Sequence, residues 1–432
     1  MSSPSLQVVA QLLRDRLDPA DVRSLACWLV TLRLLSLRED APSVLRQSAW
    51  IEDGRSGLQR ATRTALDHWP RLATAQPVFP TLEPERLTAV LRAVLTPEPT
   101  DHADPLGQTF MALLSILAKA EGRRGGQFYT PPCVSALLAR LVVRPGDQVY
   151  DPCCGAGSLL LAARERGAAA LIGQEINPIT RNIAVWSSVL ADHPLDVGQR
   201  AADSLNQDQH PELRADSVVA NPPFNLARWG QAAPGDPRFP YGTPPASNAN
   251  FAWLQHVLTH LKPQGRAAVV LCNGSTTSRR AAERKIRARL VQDGRVHSII
   301  ALPDQLFENT VIPATIWVLG PPRPTVQFID VRDLGQRIDR THKRLTNAVI
   351  DRVIGWTEAA TDPVPPAVPG RVCSVATAQV QRELAPGLYV GVQPSEPPRP
   401  DALDQARQRA RDLAEQARIL DAQIIAALDE LP

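Results

Sequence analysis

The segment VVANPPFN (218–225) places an amide, two prolines and an aromatic ring directly after a short apolar run. The run predicts the end of a buried β-strand, which two consecutive prolines cannot continue. The chain must therefore turn at Asn221, with its backbone fixed by the rings of Pro222 and Pro223. The side-chain carbonyl of Asn221 and the backbone carbonyl of Pro222 could accept both protons of a planar exocyclic amine. Phe224 could stack on the ring that carries this amine, which leaves the nitrogen lone pair directed at an electrophilic methyl group.

A second segment, VYDPCCGAGSLLLAA (149–163), predicts a strand that ends at Asp151, then a glycine-rich loop and a helix. Gly155 and Gly157 can adopt positive φ and let the backbone approach a ligand closely. About 20 residues further on, Glu175 closes the next apolar run, LIGQE, where a carboxylate can accept both hydroxyls of a ribose. This combination predicts a site for an adenosine-containing cofactor.

The cofactor need not carry phosphates. Leu160 stands where a Gly-x-Gly-x-x-Gly pattern has its third glycine, so S-adenosylmethionine fits the loop at least as well as NAD. Asp203, in the segment RAADSL, is interpreted as a third strand-end acid that could hydrogen-bond the adenine amino group. None of the four lysines lies in a Gly-Lys-Ser/Thr sequence, which excludes a phosphate-binding P-loop in this sequence.

The elements that must position these residues alternate between short apolar runs and helical segments from about residue 125 onward. Strands that alternate with helices predict an α/β fold, with a mostly parallel sheet covered on both faces. Ligands bind such sheets at the carboxyl ends of the strands. The predicted strands are 148–151, 171–175, 217–221, 266–273, 297–302, 314–320 and 325–330, and the predicted helices include 132–141, 159–166, 177–191 and 251–260.

The remaining regions differ from this core in proline content and in the spacing of their apolar residues. Residues 1–120 carry Leu, Val and Ala at three- and four-residue spacing, which predicts an N-terminal helical bundle. Residues 121–335 hold the predicted sheet, and residues 336–400 are proline-rich and are interpreted as a connector. Residues 401–432 carry an apolar 3-4 repeat, which predicts a C-terminal coiled-coil helix for subunit docking.

The composition is typical of a folded protein with two or three domains: 432 residues, 44% hydrophobic and 21% charged, with a net charge of +3. Neither a membrane-spanning run nor a signal peptide is visible in the sequence, so we expect a cytoplasmic location. The six cysteines are expected to be reduced thiols, and no metal site is predicted. Seven arginines and lysines between residues 279 and 295 indicate either a solvated helix face or a contact with nucleic-acid phosphates.

Several segments, taken in their order, are similar to those of the modification (M) subunit of type I restriction–modification systems, an adenine-N6 DNA methyltransferase. They are GQFYTPPCVSALL, DPCCGAGSLL, GQEINPITRNIAVWSSVL, ADSL, VVANPPFN, SNANFAWLQHVLTHLKPQGRAAVVLCNG and LPDQLFENTVIPATIWVL. An Asn-Pro-Pro-aromatic turn alone also occurs in methyltransferases that act on glutamine or on RNA. The GQFYTP and SNANFAWLQH segments are more specific. The chain departs from the family at Cys272, since VLCNG replaces the common VLPNG.

The resemblance implies a class I S-adenosylmethionine-dependent methyltransferase fold with a Rossmann-like sheet, in which the target adenine is flipped out of the duplex. The loop at 225–249 would close over that base. Asn221, Pro222, Pro223 and Phe224 would form the catalytic turn. The residues implied to bind the cofactor are Gln127, Phe128, Tyr129, Thr130, Pro131, Pro132, Asp151, Gly155, Ala156, Gly157, Ser158, Glu175 and Asp203.

The resemblance also implies double-stranded DNA as the substrate, with a specificity (S) subunit, a second M subunit and a restriction (R) subunit as partners. The sequence offers no obvious base-reading domain, so the choice of DNA sequence is expected to lie with the S subunit. Two alternatives stay open: an RNA or protein-glutamine methyltransferase with the same turn, and a catalytically silent, cofactor-binding scaffold. Four histidines are not needed for the reaction and are expected at the surface or in structural roles: His193, His210, His256 and His260.

Overall fold

The computed structural model describes residues 19–47, 49–77, 79, 83–95, 130–230, 235–307, 312–359, 371–380, 382–390 and 408. Three residues of the implied cofactor site, Gln127, Phe128 and Tyr129, lie outside the described residues. The predicted C-terminal coiled coil also lies outside them, apart from Gln408.

A central β-sheet organises the described chain. Its strands are β1 (Gln148–Asp151), β2 (Ala170–Gly173), β3 (Leu195–Asp196), β4 (Ala215–Ala220), β5 (Leu261–Cys272), β6 (Val296–Ala301), β7 (Ala314–Leu319), β8 (Thr325–Asp330) and β11 (Val372–Ala376). Two further strands, β9 (Gln336–Arg337) and β10 (Lys343–Arg344), form a separate hairpin. The sheet has the order β11–β8–β6–β7–β5–β4–β1–β2–β3, and β9 pairs with β10 in the hairpin. Strands β1 to β5 are joined by parallel pairings, while β7 and β11 are antiparallel to their neighbours. The prediction of a mostly parallel α/β sheet is therefore confirmed.

Helices cover both faces of this sheet. The α-helices are α1 (Pro19–Ser36), α2 (Ser43–Arg46), α3 (Gly54–His68), α4 (Pro84–Leu95), α5 (Pro132–Val142), α6 (Ser158–Glu165), α7 (Pro178–Leu190), α8 (Asn250–Thr259), α9 (Gly274–Thr277), α10 (Ala281–Gln292) and α11 (Asn347–Ala359). Successive strand residues point to opposite faces. Val149 and Val219 pack in the core that includes α5, α6 and α7, whereas Tyr150 and Val218 pack in the core that includes α8 and α10. Both faces are apolar, which explains why these strands contain continuous apolar runs.

The N-terminal helices dock on α7, the helix that follows β2. The indole Nε1 of Trp186 donates to the carbonyl of Ala75 at 2.7 Å, and Arg181 Nη1 donates to the carbonyl of Thr74 at 3.1 Å. The rings of Trp28 and Trp186 lie 5.1 Å apart. The N-terminal helices thus pack against α7, on the face of the sheet that α7 covers. The division of the chain into domains stays a prediction.

Part of the predicted connector (336–400) belongs to the sheet. Strand β11 pairs with β8 over five residues, from Val372 opposite Ile329 to Ala376 opposite Thr325. Helix α11 contributes buried side chains to the same core as α5. The interpretation of this whole segment as a connector is corrected accordingly. Without β11, strand β8 would end the sheet with unpaired backbone N–H and C=O groups, and β11 pairs with them.

The arginine-rich segment forms α10 and its flanks, and one of its residues has a structural role. Arg287 is buried, and its guanidinium donates to the carbonyl of Arg382 at 2.7 Å and to those of Ser278 and Ser275 at 3.1 and 3.3 Å. Arg287 therefore belongs neither to a solvated face nor to a phosphate contact. Burial lowers the pKa of this guanidinium, and the charges of Glu383 and Glu283 oppose that shift.

All six cysteines are free thiols, as expected from the sequence. Within the described ranges, no helix combines the length and the apolar character that crossing a membrane requires.

Candidate active site

The glycine-rich loop leaves room for a ligand at the carboxyl end of β1. Gly155 has φ +56° and Gly157 has φ +89°, a region that side chains rarely adopt, and α6 begins at Ser158. A Cβ added at Gly155 would meet no atom within 4 Å. The backbone at Gly155 therefore faces open space, as a close approach of the loop to a ligand requires.

A single carboxylate holds this loop against the start of α7. Glu175 lies two residues beyond the end of β2, and its Oε2 accepts the backbone N–H of Gly155 at 3.0 Å. Its Oε1 accepts the backbone N–H of Asn177 at 2.7 Å. The Asn177 side chain in turn accepts the backbone N–H groups of Ile179 and Thr180 and so caps α7. Since each carboxylate oxygen can accept more than one hydrogen bond, Glu175 can position the loop and bind a hydroxyl as well.

Asp151 is fully buried at the end of β1 with one oxygen unsatisfied. Its Oδ1 accepts the backbone N–H of Cys153 at 3.0 Å, whereas its Oδ2 has no hydrogen-bond partner among the described residues. Burial raises the pKa of this carboxyl to about 7; the Cys153 hydrogen bond opposes the shift, and the Glu175 charge adds to it. A buried acceptor without a partner is unfavourable, so a ligand that donates a hydrogen bond or a positive charge would stabilise it.

Asp203 occupies a different position from the one predicted. Strand β3 ends at Asp196, and Asp203 lies beyond it in a turn, half-buried rather than at a strand end. Its Oδ1 accepts the backbone N–H of Leu205 at 2.9 Å, and its Oδ2 accepts the side-chain N–H of Asn206 at 2.6 Å. The backbone N–H of Ala202 bonds the carbonyl of Glu175 at 3.0 Å, which brings this turn to the same edge as the glycine loop.

The Asn-Pro-Pro-Phe turn follows β4, the strand next to β1. Asn221 is only 8% exposed, and its Nδ2 donates to the hydroxyl of Thr130 at 2.9 Å. This bond directs the amide and leaves Oδ1 buried with no hydrogen-bond partner among the described residues. Thr130 immediately precedes the Pro131–Pro132 step that starts α5, so it ties that segment to the turn. The structure thus brings Thr130 and Asn221 together and leaves Asn221 Oδ1 as an unsatisfied acceptor at the carboxyl end of β4.

A cluster of amides fixes the residue after the turn, and the sequence analysis missed its role. Asn225 has φ +54°, and its backbone N–H donates to Oδ1 of Asn250 at 3.2 Å. Its Oδ1 accepts from the side-chain amides of Asn248 and Asn250, both at 3.1 Å, and from Sγ of Cys272 at 3.1 Å. The SNAN segment at the start of α8 was the sequence signal for this cluster. Cys272, which departs from the family pattern, supplies a donor that a proline side chain could not.

Two apolar side chains lie just beyond the carboxyl ends of β4 and β2. Phe224 packs edge-on against Phe307, with ring centroids 6.0 Å apart at an interplanar angle of 76°. Ile176, next to Glu175, is 63% exposed, which is unusual for a large aliphatic residue beside buried polar groups. The sequence analysis did not single out Ile176, although its position directly after the strand-end acid was the available signal.

Comparison with known proteins shows which family the sequence matches. The sequence profile of the family described as N-6 DNA Methylase matches residues 101–390. The Type I restriction enzyme HindI methylase subunit of Haemophilus influenzae is 36% identical over 304 residues, which cover 67% of this chain and 69% of that protein. The MjaIX methylase subunit of Methanocaldococcus jannaschii is 29% identical over 271 residues, and the matched part spans about half (48%) of its length.

The fold comparison extends over nearly the whole molecule. The type I restriction-modification system methyltransferase subunit from Streptococcus thermophilus superposes with a TM-score of 0.75 at 24% identity, covering 90% of this chain and 98% of that one. At this level of identity the superposition shows that the two chains share a fold. The family match over more than half of the chain decides the classification. The chain belongs to the N-6 DNA methylase family, alongside the methylase subunits of type I restriction enzymes.

Proposed function

We propose that the protein is the modification subunit of a type I restriction–modification system and transfers a methyl group from S-adenosylmethionine to N6 of an adenine in duplex DNA. The reaction class is that of its family, adenine-N6 DNA methylation. The observation that supports the site assignment best is the buried, unpartnered Oδ1 of Asn221, whose amide nitrogen is held by Thr130. An acceptor in this state is suited to a substrate that brings its own N–H donor.

The proposed turn acts by positioning. Asn221 Oδ1 accepts one proton of the adenine amine and the Pro222 carbonyl accepts the other, while Pro223 fixes the backbone and Phe224 stacks on the base. Both hydrogen bonds draw the amine away from conjugation with the ring, so its lone pair becomes available for attack. The new C–N bond forms as the methyl–sulfur bond breaks, and the surplus amine proton leaves to solvent. No general base is needed, since the rate gain comes from orientation and electrostatics.

S-adenosylmethionine supplies an electrophilic methyl group on a sulfonium when it is bound. The features of this chain fit its parts: open space at Gly155 for close backbone approach, a carboxylate at Glu175 for the ribose and an exposed aliphatic face at Ile176 for the adenine ring. The unsatisfied oxygen of Asp151 would face the positively charged methionine end. We assign cofactor binding among the described residues to Thr130, Pro131, Pro132, Asp151, Gly155, Ala156, Gly157, Ser158, Ile176, Glu175 and Asp203.

DNA sequence choice belongs to a separate S subunit in this proposal. The chain then works in an assembly with S, a second M subunit and an R subunit. The loop at 225–249 would close over the flipped adenine, and its anchoring by Asn225, Asn248 and Asn250 gives that closure a fixed base.

The direct test is native long-read sequencing of genomic DNA from cells that carry the intact locus, beside cells that carry Asn221→Ala. We expect N6-methyladenine at one split recognition sequence, and its loss in the variant. Asn182→Ala serves as the matched control, because the Asn182 amide donates to the carbonyl of Gln76 in an exposed contact that involves no residue of the turn. Methylation retained in Asn221→Ala would overturn the assignment of the turn. Absence of the mark from the intact strain, with the protein expressed, would overturn DNA as the substrate in favour of RNA, protein glutamine or a silent scaffold.

A further inference from the structure

Three buried polar side chains and one partly buried carboxylate lie on the α8 face of the sheet, and the proposed reaction uses none of them. They are Tyr150 on β1, Asp208 in the loop that follows Asp203, and His256 and His260 at the carboxyl end of α8. His256 and His260 are at most 1% exposed. One ligand atom from each of Asp208, His256 and His260 lies within 4.8 Å of the other two, which is a spacing that a single metal ion can bridge.

The hydrogen bonds of His260 leave two acceptors facing each other. Its Nδ1 lies 2.8 Å from the backbone carbonyl of His256, and a carbonyl can only accept, so Nδ1 must carry the hydrogen. In the neutral ring Nε2 then bears a lone pair. That lone pair faces Oδ2 of Asp208 at 3.1 Å. A positive charge must lie between these two atoms, either a proton on Nε2 or a metal ion.

His256 decides between these two possibilities. Both of its ring nitrogens are buried and have no hydrogen-bond partner among the described residues. In its neutral form the ring of His256 offers one lone pair. A proton shared by His260 and Asp208 would leave both ring nitrogens of His256 without a partner, which is unfavourable in a buried site. A metal ion binds one lone pair from each of the three groups at once, and only the protonated nitrogen of His256 then stays without a partner among the described residues.

We propose that Asp208, His256 and His260 bind one Zn²⁺ ion. Two imidazoles and one carboxylate are a zinc ligand set, and both histidines lie one helical turn apart on the same side of α8. Asp208 is prepared for this role, because its Oδ1 accepts the backbone N–H of His210 at 2.9 Å while Oδ2 points to His260. The buried hydroxyl of Tyr150, which also lacks a partner among the described residues, lies beside the same rings and would hydrogen-bond a water in the fourth position.

The proposed ion would connect two elements that support the candidate active site, the loop that follows Asp203 and helix α8. Asp208 sits five residues after Asp203, in a loop that Gln174 also holds through the carbonyl of Gln207 at 2.9 Å. Helix α8 begins at Asn250, which anchors the residue after the catalytic turn. Zinc at the other end of α8 would therefore clamp the Asp203 loop to the helix that positions the turn.

The first test measures metal content and does not depend on catalysis. The full-length chain is stripped with a chelator, reconstituted with zinc, desalted and measured by elemental analysis. We expect one zinc per chain, lost in His256→Gln and in His260→Gln and retained in His342→Gln, a surface histidine paired with Asp339. Zinc should also raise the melting temperature of the unmodified protein, and magnesium should not. A reconstituted chain without stoichiometric zinc would overturn the proposal.

The second test keeps the proposal falsifiable if the variants do not fold. X-ray absorption at the zinc edge of the unmodified protein should show only nitrogen and oxygen ligands at about 2.0–2.1 Å. Sulfur ligands would place the zinc on cysteines and reject this site. Nitrogen NMR that finds hydrogens on both ring nitrogens of His260 in the zinc-treated protein would show an imidazolium–carboxylate pair instead.

Discussion

The glycine loop after β1 and the Asn-Pro-Pro-Phe turn after β4 end neighbouring parallel strands, yet they are held in different ways. The loop depends on one charge, the carboxylate of Glu175, which accepts backbone N–H groups on both sides. The turn depends on several neutral side chains, among them Thr130 and the amides around Asn225. Hydrogen bonds to a charged group are about twice as strong as neutral ones. Removing the charge at the loop should therefore have a larger effect than removing one neutral partner at the turn.

In the proposed function, the difference also separates two tasks. Cofactor binding requires a firmly placed carboxylate, and a charge can provide both the placement and the binding. Methyl transfer to a neutral amine requires exact placement of an uncharged acceptor, which a set of shared hydrogen bonds provides without adding charge near the base. Changes at the loop should therefore act on cofactor affinity, and changes around the turn on the rate of transfer.

The largest effect is expected for Glu175→Gln. The amide keeps one acceptor but places an N–H group opposite a backbone N–H, and it removes the charge from the proposed ribose contact. We expect the dissociation constant for S-adenosylmethionine to rise by about 100-fold, with kcat at saturating cofactor nearly unchanged. Calorimetric titration and steady-state kinetics measure both quantities. Glu212→Gln, at an exposed position, is the control; a fall in kcat without loss of affinity would contradict the division of tasks.

Asp151→Asn tests the unsatisfied carboxyl on the loop side. The folded-state pKa is raised to about 7 from an ordinary 3.8, so between these values the unfolded chain has lost a proton that the folded chain retains. Stability should therefore fall as pH rises through this window, by up to about 1.4 kcal/mol per pH unit for one proton. The variant cannot ionise and should lack this component. Urea unfolding of the cofactor-free protein across the window measures it, and equal slopes for both proteins would refute the burial of an ionisable Asp151.

The smallest effect is expected for Asn250→Ala. Asn225 would lose two bonds but keep Asn248 and Cys272 as donors to its side-chain oxygen. Since neutral hydrogen bonds contribute about 1 kcal/mol each, we expect kcat to fall between about fivefold and 30-fold, with cofactor affinity unchanged. Steady-state kinetics with Asn182→Ala as the control measure this change. A loss of cofactor affinity instead would show that α8 supports the loop rather than the turn.

The sequence predicted the local features of this site because they depend on neighbours in the chain. The strand at 148–151 was predicted with its observed bounds, and the turn at Asn221 followed from two prolines after an apolar run. The prediction for Asp203 was wrong as to its strand, since β3 has only two residues and the aspartate lies in a later turn.

Contacts across long sequence separations could not be predicted. The bonds from Asn250 and Cys272 to Asn225 join residues 25 and 47 positions apart, and they exist only because α8 and β5 pack beside the turn. The pairing of β11 with β8 likewise depends on the position of a sheet edge, which a proline-rich segment does not reveal. Arg287 shows the same limit, because its charge suggested solvent or phosphate while its position at α10 directs it to buried carbonyls.

The order of residues in the turn also affects how the protein ages. Asparagine deamidates when the backbone nitrogen of the next residue attacks its side-chain amide and closes a five-membered imide. The nitrogen of Pro222 carries no hydrogen and lies within a ring, so Asn221 cannot follow this route. The aspartate that deamidation would produce, a charge in place of the neutral acceptor, is thereby kept out of the turn over the lifetime of the molecule.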